Sequence, residues 1–216
     1  MDEPGYGRTR WRRFGLLMLL SGGVTAGLVG LVSNGALAVG FNVSGQDFKV
    51  SADKLVATGF VQYGGVDAAI EPGSDPKNPK QVPEPVAISA MKTAELTNLC
   101  QSVVTDLGFL GKITLVITAG DNGQPVTATD MVVDMTRLDG DADFKTIEIG
   151  RDASTMDKGP TNDPGELAQR RQGFFGQQAT SVTITNLKQT AWSTVASEFN
   201  LKHLSMQLHT GQHECF

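Results

Sequence analysis

The sequence predicts an all-β protein built from two related β-rich halves that pack as a sandwich or a solenoid-like body, preceded by an N-terminal hydrophobic helix. Three observations predict it. Apolar and polar residues alternate in short runs, the period of a strand with one buried face. Of 216 residues 25 are glycine, only 6% are aromatic and 19% are charged, a balance that favours strands and turns over long helices. Three short patterns also occur twice in the same order. Asp47-Phe48-Lys49 is echoed by Asp143-Phe144-Lys145, Leu96-Thr97-Asn98-Leu99 by Ile184-Thr185-Asn186-Leu187, and the alternating run 113–120 by 204–211. The offsets are 96, 88 and 91 residues, which places the halves at about 41–120 and 137–211.

Residues 1–38 read as a signal peptide or membrane anchor, and 39–216 as a single exported domain. Arg8, Arg10, Arg12 and Arg13 precede an uncharged run over 14–39, and such a basic flank holds the segment's start on the cytoplasmic side. Ala36-Leu37-Ala38 has the small residues a signal peptidase accepts, so cleavage after Ala38 is expected. At 26 residues the run is also long enough to stay in a bilayer as an anchor. Without the rest of a twin-arginine motif, ordinary secretion is the reading for Arg12-Arg13. Removal of this segment takes four of the 18 basic and two of the 23 acidic residues with it, leaving a body at −7. Such a charge, with no cluster of Lys and Arg, argues against nucleic acid as a partner.

Along the body, Phe41 and Val43, then Phe48 and Val50, have strand spacing. The stretch 68–85 carries Pro72, Pro76, Pro79, Pro83 and Pro85 and reads as a loop unable to take part in a central ladder. Strands resume over 86–104, and Ile113, Leu115 and Ile117 mark the clearest one in the first half. Asn122-Gly123 accepts the positive φ of a tight turn. Met131, Val133 and Met135, then Phe144, Ile147 and Ile149, form the next apolar sets. The segment 154–178 reads as irregular, with a short polar helix at 166–172. Val182 and Ile184 follow, then Phe199 and Leu201, then Leu204, Met206 and Leu208. The phase shift between Leu201 and Leu204 implies a bulge at Lys202-His203.

Cys100 and Cys215 are an even pair in a chain expected to leave the cytoplasm, so one disulfide is the economical assignment, two buried thiols the alternative. Asp139, Asp141 and Asp143 set carboxylates at alternate positions, a donor set hard cations use. Phe144 and Gly150 stand where an EF-hand needs Gly and Glu, so solvated turn carboxylates are the bland alternative. His209 and His213 lie four apart beside Glu214, but off a helix, and read as surface residues. No serine has the Gly-x-Ser-x-Gly surround of a hydrolase elbow, and no cofactor motif is present. Trp192 and Phe199 are the candidate lining of an apolar groove between the halves.

Arg10-Trp11-Arg12-Arg13-Phe14, Gly35-Ala36-Leu37-Ala38, the run 48–55, Asn98-Leu99-Cys100-Gln101-Ser102, the run 144–150 and Gln189-Thr190-Ala191-Trp192 together resemble an uncharacterised family of secreted or membrane-anchored proteins of actinobacteria such as streptomycetes. Its members often carry the label cholesterol esterase. The resemblance covers nearly the whole chain and implies an exported protein with a connection to lipid; no catalytic motif accompanies the label here. The functional expectation is an exported binding or structural module on the outer face of the cytoplasmic membrane or in the wall, taking a lipid or other apolar ligand. The alternatives are a self-assembling homo-oligomeric envelope protein and a hydrolase of lipid esters.

Overall fold

A computed structural model describes residues 42–43, 45–71, 73–75, 77–160 and 171–216. The signal or anchor segment and most of the expected helix at 166–172 lie outside the described residues. The described residues form ten strands and no α-helix: β1 (Asn42–Val43), β2 (Phe48–Ile70), β3 (Gln81–Thr97), β4 (Leu99–Asp106), β5 (Lys112–Ala119), β6 (Val126–Lys145), β7 (Glu148–Asp152), β8 (Phe175–Val195), β9 (Glu198–Asn200) and β10 (Ser205–Thr210). The all-β expectation holds.

In place of a sandwich or a solenoid, four long strands close on themselves. β2 pairs with β3, β3 with β6, β6 with β8, and β8 again with β2, all antiparallel. Following partners from Gly64 to Ala87, Met135, Ala191 and Phe48 completes one circuit and returns to β2 sixteen residues nearer its start. At about 3.3 Å per residue and 4.8 Å between strands, that displacement is roughly 53 Å along the strands against roughly 19 Å across them. The strands therefore wind steeply about the axis, well beyond the tilt of common barrels. Four strands enclose so little room that only steep winding leaves space for a core, which explains why β2, β6 and β8 run to 23, 20 and 21 residues.

The core matches this narrow interior. Ala52, Ala57, Ala94, Ala128, Ala179 and Ala191 lie in one buried cluster with Val126, Val182, Ile184, Leu187 and Met135. Small residues let the walls approach, and the larger ones fill what remains; each fully buried Leu or Val stabilises by roughly 2 kcal/mol.

The repeated Thr-Asn-Leu marks a bend. Asn98 and Asn186 have φ of 53° and 54°, the left-handed conformation that Asn tolerates better than most residues. Each donates from Nδ2 to an aspartate 45 residues earlier, Asn98 to Asp53 (2.6 Å) and Asn186 to Asp141 (3.1 Å). Buried positions change phase here: Leu96 and Leu99 are both inside, as are Ile184 and Leu187. Opposite Asn186 the register slips between Asp139 and Asp141, where Gly140 has no room for a Cβ, which would meet Ile184 and the Thr185 carbonyl below 3.0 Å. The third echo has a matching pair of bonds: the Gly120 N–H donates to the Lys202 carbonyl and the Gly211 N–H to the Lys112 carbonyl, at 2.8 and 2.7 Å. The Asp-Phe-Lys echo, at an offset of 96, falls out of register with the other two.

Three expectations change. Pro83 and Pro85 sit inside β3, opposite Ala68 and Val66 of β2. Alternate residues direct their N–H groups to the same edge, and β6 reaches β3 only from Ala87 onward, so two prolines two apart fit the unpaired edge. Asn122 and Gly123 have the expected positive φ, yet β5 and β6, which they join, pair with other strands. At Lys202-His203 the chain makes a turn with His203 at φ 54° in place of a bulge, because β9 goes to β6 and β10 to β5.

Candidate functional site: an uncovered apolar sheet face

At Asn98 the strand formed by β3 and β4 changes partner. Before it, β3 has β6 on its outer edge; after it, β4 has β5, and β10 adds to β5. These three strands form a small sheet carried on the barrel through β4 and β2.

The two faces of that sheet differ. On one, Cys100, Ser102 and Thr114 are roofed by the C-terminal tail. Cys215 bonds to Cys100 with S–S 2.03 Å, as the even cysteine count implied. The Cys215 N–H donates to Ser102 Oγ (3.0 Å), the His213 N–H to Thr114 Oγ1 (3.0 Å), and Thr114 Oγ1 to the Gly211 carbonyl (2.7 Å). Lys49 Nζ holds the tail's end through the Phe216 carbonyl (3.0 Å) and Glu214 (3.2 Å).

The opposite face presents three paired rows: Gln101, Ile117 and Met206; Val103, Leu115 and Leu208; Thr105, Ile113 and Thr210. None of the nine is charged. Met206 is 59% and Leu208 70% exposed, and Val103, Ile113, Leu115 and Ile117 are half-buried. Three strands by five residues make roughly 240 Å². The face continues into the β4–β5 connection, where Leu107, Phe109 and Leu110 are 41%, 96% and 69% exposed. Together they reach the size at which an apolar surface patch commonly marks an interaction site. The sequence signal for the connection was there to find: Leu107-Gly108-Phe109-Leu110-Gly111 puts apolar residues where a turn ordinarily carries polar ones.

A second feature lies on the barrel. Tyr63, Ile88, Asp134 and Ser193 are successive cross-strand partners on β2, β3, β6 and β8. Burial, then the charge of Asp67, pushes the Asp134 carboxyl up to about 7, against a hydrogen bond with Ser193 that lowers it. Burial also raises Asp67, whose Oδ2 has no hydrogen-bond partner among the described residues. Burial raises the Tyr63 hydroxyl, partly offset by Arg171, whose guanidinium lies 4.7 Å from the ring centroid. Asp134 is thus shifted to titrate in the neutral range, a property invisible to motif reading because it depends on which strands cover the residue.

The candidates read from sequence are dispersed. Asp139, Asp141 and Asp143 each have their own partner, Arg137 (2.6 Å), Asn186 (3.1 Å) and Lys145 (3.1 Å). Among the described residues no three metal-ligating side chains converge. The slip at Gly140 breaks the alternation that would have placed all three on one face. Trp192 is half-buried on β8 beside Asp134, with Nε1 buried and without a hydrogen-bond partner among the described residues, whereas Phe199 on β9 faces Ala128. Six residues of β6 separate those positions, roughly 20 Å. His203 Nδ1 lies 2.6 Å from Asp121 Oδ1, the pairing that orients a hydrolytic base, but among the described residues no serine hydrogen-bonds that ring. The His209 and His213 rings lie 5.2 Å apart between centroids with their planes tilted by 42°.

A model described as a family of unknown function, DUF6230, matches residues 44–216. The chain belongs to the DUF6230 family. No curated protein and no solved structure matches it. In this DUF6230 chain the match takes in every strand from β2 to β10, so both the acid pair and the apolar face lie within the family domain.

Proposed function

We propose that this is an exported cell-envelope protein, a binding module that takes lipid or another apolar molecule on the β4–β5–β10 face, anchored or secreted through residues 1–38. One observation carries the reading: Met206 and Leu208 stand exposed in an uncharged sheet face whose reverse is sealed by a disulfide-tied tail. Leaving such a face in water forfeits roughly 25 cal/mol per Å², so a ligand that covers it gains that term. A disulfide suits an oxidising compartment. The matching bonds of Asn98 and Asn186, and of Gly120 and Gly211, support two structurally related halves as the origin of the fold.

The test is lipid extraction and mass spectrometry of the purified full chain, beside a Met206→Asp, Leu208→Asp variant. The reading predicts a co-purifying lipid or apolar compound that the variant loses. Equal recovery from both proteins, or none from either, would overturn it. Self-assembly has one specific support. The β10 outer edge is unpaired among the described residues and carries no Lys, Pro or carboxylate to block strand addition. A monomer at high concentration counts against it.

A further inference from the structure

We infer that the β4–β5 connection, residues 107–110, is a bilayer-insertion element that sets the body tip-first on a lipid surface. This rests on the lipid reading above and names the partner as a bilayer, where that reading needs only an apolar ligand.

Apolar side chains at the end of a hairpin, Phe109 foremost, are what an interfacial anchor needs, since Phe and Leu bury at the boundary between headgroups and acyl chains. Backbone at membrane depth is favoured when its polar groups are paired, and this turn pairs four of its N–H groups internally. The Leu107 N–H donates to the Gly111 carbonyl (2.9 Å), the Gly111 N–H to Gly108 (3.0 Å) and the Leu110 N–H to Leu107 (3.4 Å). The Gly108 N–H donates to Asp106 Oδ1 (2.8 Å). Gly108 and Gly111, at φ 64° and 84°, permit this tight closure without a Cβ penalty.

Topology puts the tip at the end where the chain enters the body. Asn42 and Val43 pair with Ala68 and Ala69, Gly45 lies against the Ile70 carbonyl, and Gln46 Oε1 accepts from Thr105 Oγ1 (3.5 Å). Thr105 is one residue before Asp106 and pairs with Ile113. The uncharged run over 14–39 precedes β1 in the sequence, so the chain that carries it joins the body at this end. Asp106 and Lys112, opposite in sign, flank the turn, so the contact is apolar in character and should be insensitive to salt and to anionic lipid.

The experiment places a single environment-sensitive thiol label on the full chain in zwitterionic phosphatidylcholine vesicles carrying brominated lipid. Leu110→Cys keeps Phe109 in place, and Gln124→Cys marks the opposite end of β5, roughly 26 Å away. Quenching at 110 several-fold above that at 124, unchanged in high salt and reduced several-fold when Phe109→Asp is added, is the expected result. Equal quenching at the two positions would overturn the proposal. So would an apolar shift at 110 that depends on protein concentration and survives without lipid, which would identify a second copy as the occupant. If 110 stays in water while Met206→Asp, Leu208→Asp still removes a co-purified lipid, the tip assignment fails and the face assignment stands.

Discussion

Replacing Asp134 with asparagine removes a group whose protonation the fold controls, and the sign of the effect follows from its surroundings. Asp134 is 4% exposed, and burial together with Asp67 raises its carboxyl from an ordinary 3.8 to about 7. Between those values the folded chain holds a proton that the unfolded chain releases. The group's contribution is therefore fully present below about pH 4 and is lost as pH rises through about 7. A displacement of about three units corresponds to about 4 kcal/mol at most, and sharing of the load with Asp67 brings the expectation to about 2–4 kcal/mol. The amide that replaces the carboxyl cannot ionise and keeps an oxygen for the Ser193 hydroxyl. The measurement is urea unfolding of Asp134→Asn and the natural chain at pH 4, 6 and 8. Glu148, held down to about 2 by Arg151, Lys158 and Gln178, and Asp152 and Glu214, also lowered, give an opposite slope common to both proteins, which cancels in the difference. The variant should match the natural chain at pH 4 and exceed its stability by that amount at pH 8. Parallel curves, or a variant weaker at pH 8, would refute the assignment.

Two further outcomes follow from the covalent and local structure. The Cys100–Cys215 bond spans 115 residues, for which loop-closure entropy gives about 5 kcal/mol; Cys100→Ser with Cys215→Ser should lower Tm by on the order of 10–20 °C in calorimetry, and a loss under about 1 kcal/mol would show that the tail's hydrogen bonds hold it unaided. Asn98→Ala and Asn186→Ala should each cost about 1–2 kcal/mol, from a left-handed residue and a lost hydrogen bond, with Asn→Gly milder at both; unlike responses of the two sites in denaturant titrations would break the equivalence of the two bends.

What the sequence made legible was local. Alternation marked the strands, because a half-buried strand writes its face into every second residue, and Asn122-Gly123 gave its turn correctly. Partner choice was not legible: the same Asn-Gly turn that ordinarily closes a hairpin here joins β5 and β6, which do not pair. Proline misled over 81–85 because its cost depends on whether the edge it faces is paired. The spacing of the candidate lining was not legible for a related reason, since Trp192 and Phe199 are near in sequence but are held at different heights on β6. The acid pair could be suspected only from Val66-Asp67-Ala68 and Val133-Asp134-Met135, carboxylates set among apolar neighbours in mid-strand, and their burial required the barrel closure.

The apolar face exists because the two Thr-Asn-Leu bends are used differently. At Asn186, β8 keeps β6 on one side and β2 on the other across the bend, so the bend serves only to wind the strand around the barrel. At Asn98 the inner edge keeps β2, but the outer edge passes from β6 to β5. The register of β3 with β6 ends as that bend is reached, and the freed edge of β4 is taken up by β5 and β10. Those two strands are themselves the third repeated pattern, paired to each other instead of each extending its own half. Related local chemistry thus gives a closed barrel in one place and an open three-stranded sheet in the other. The tail, fixed by Cys215, roofs one face of the open sheet, and on the other Met206 and Leu208 stand exposed among the described residues.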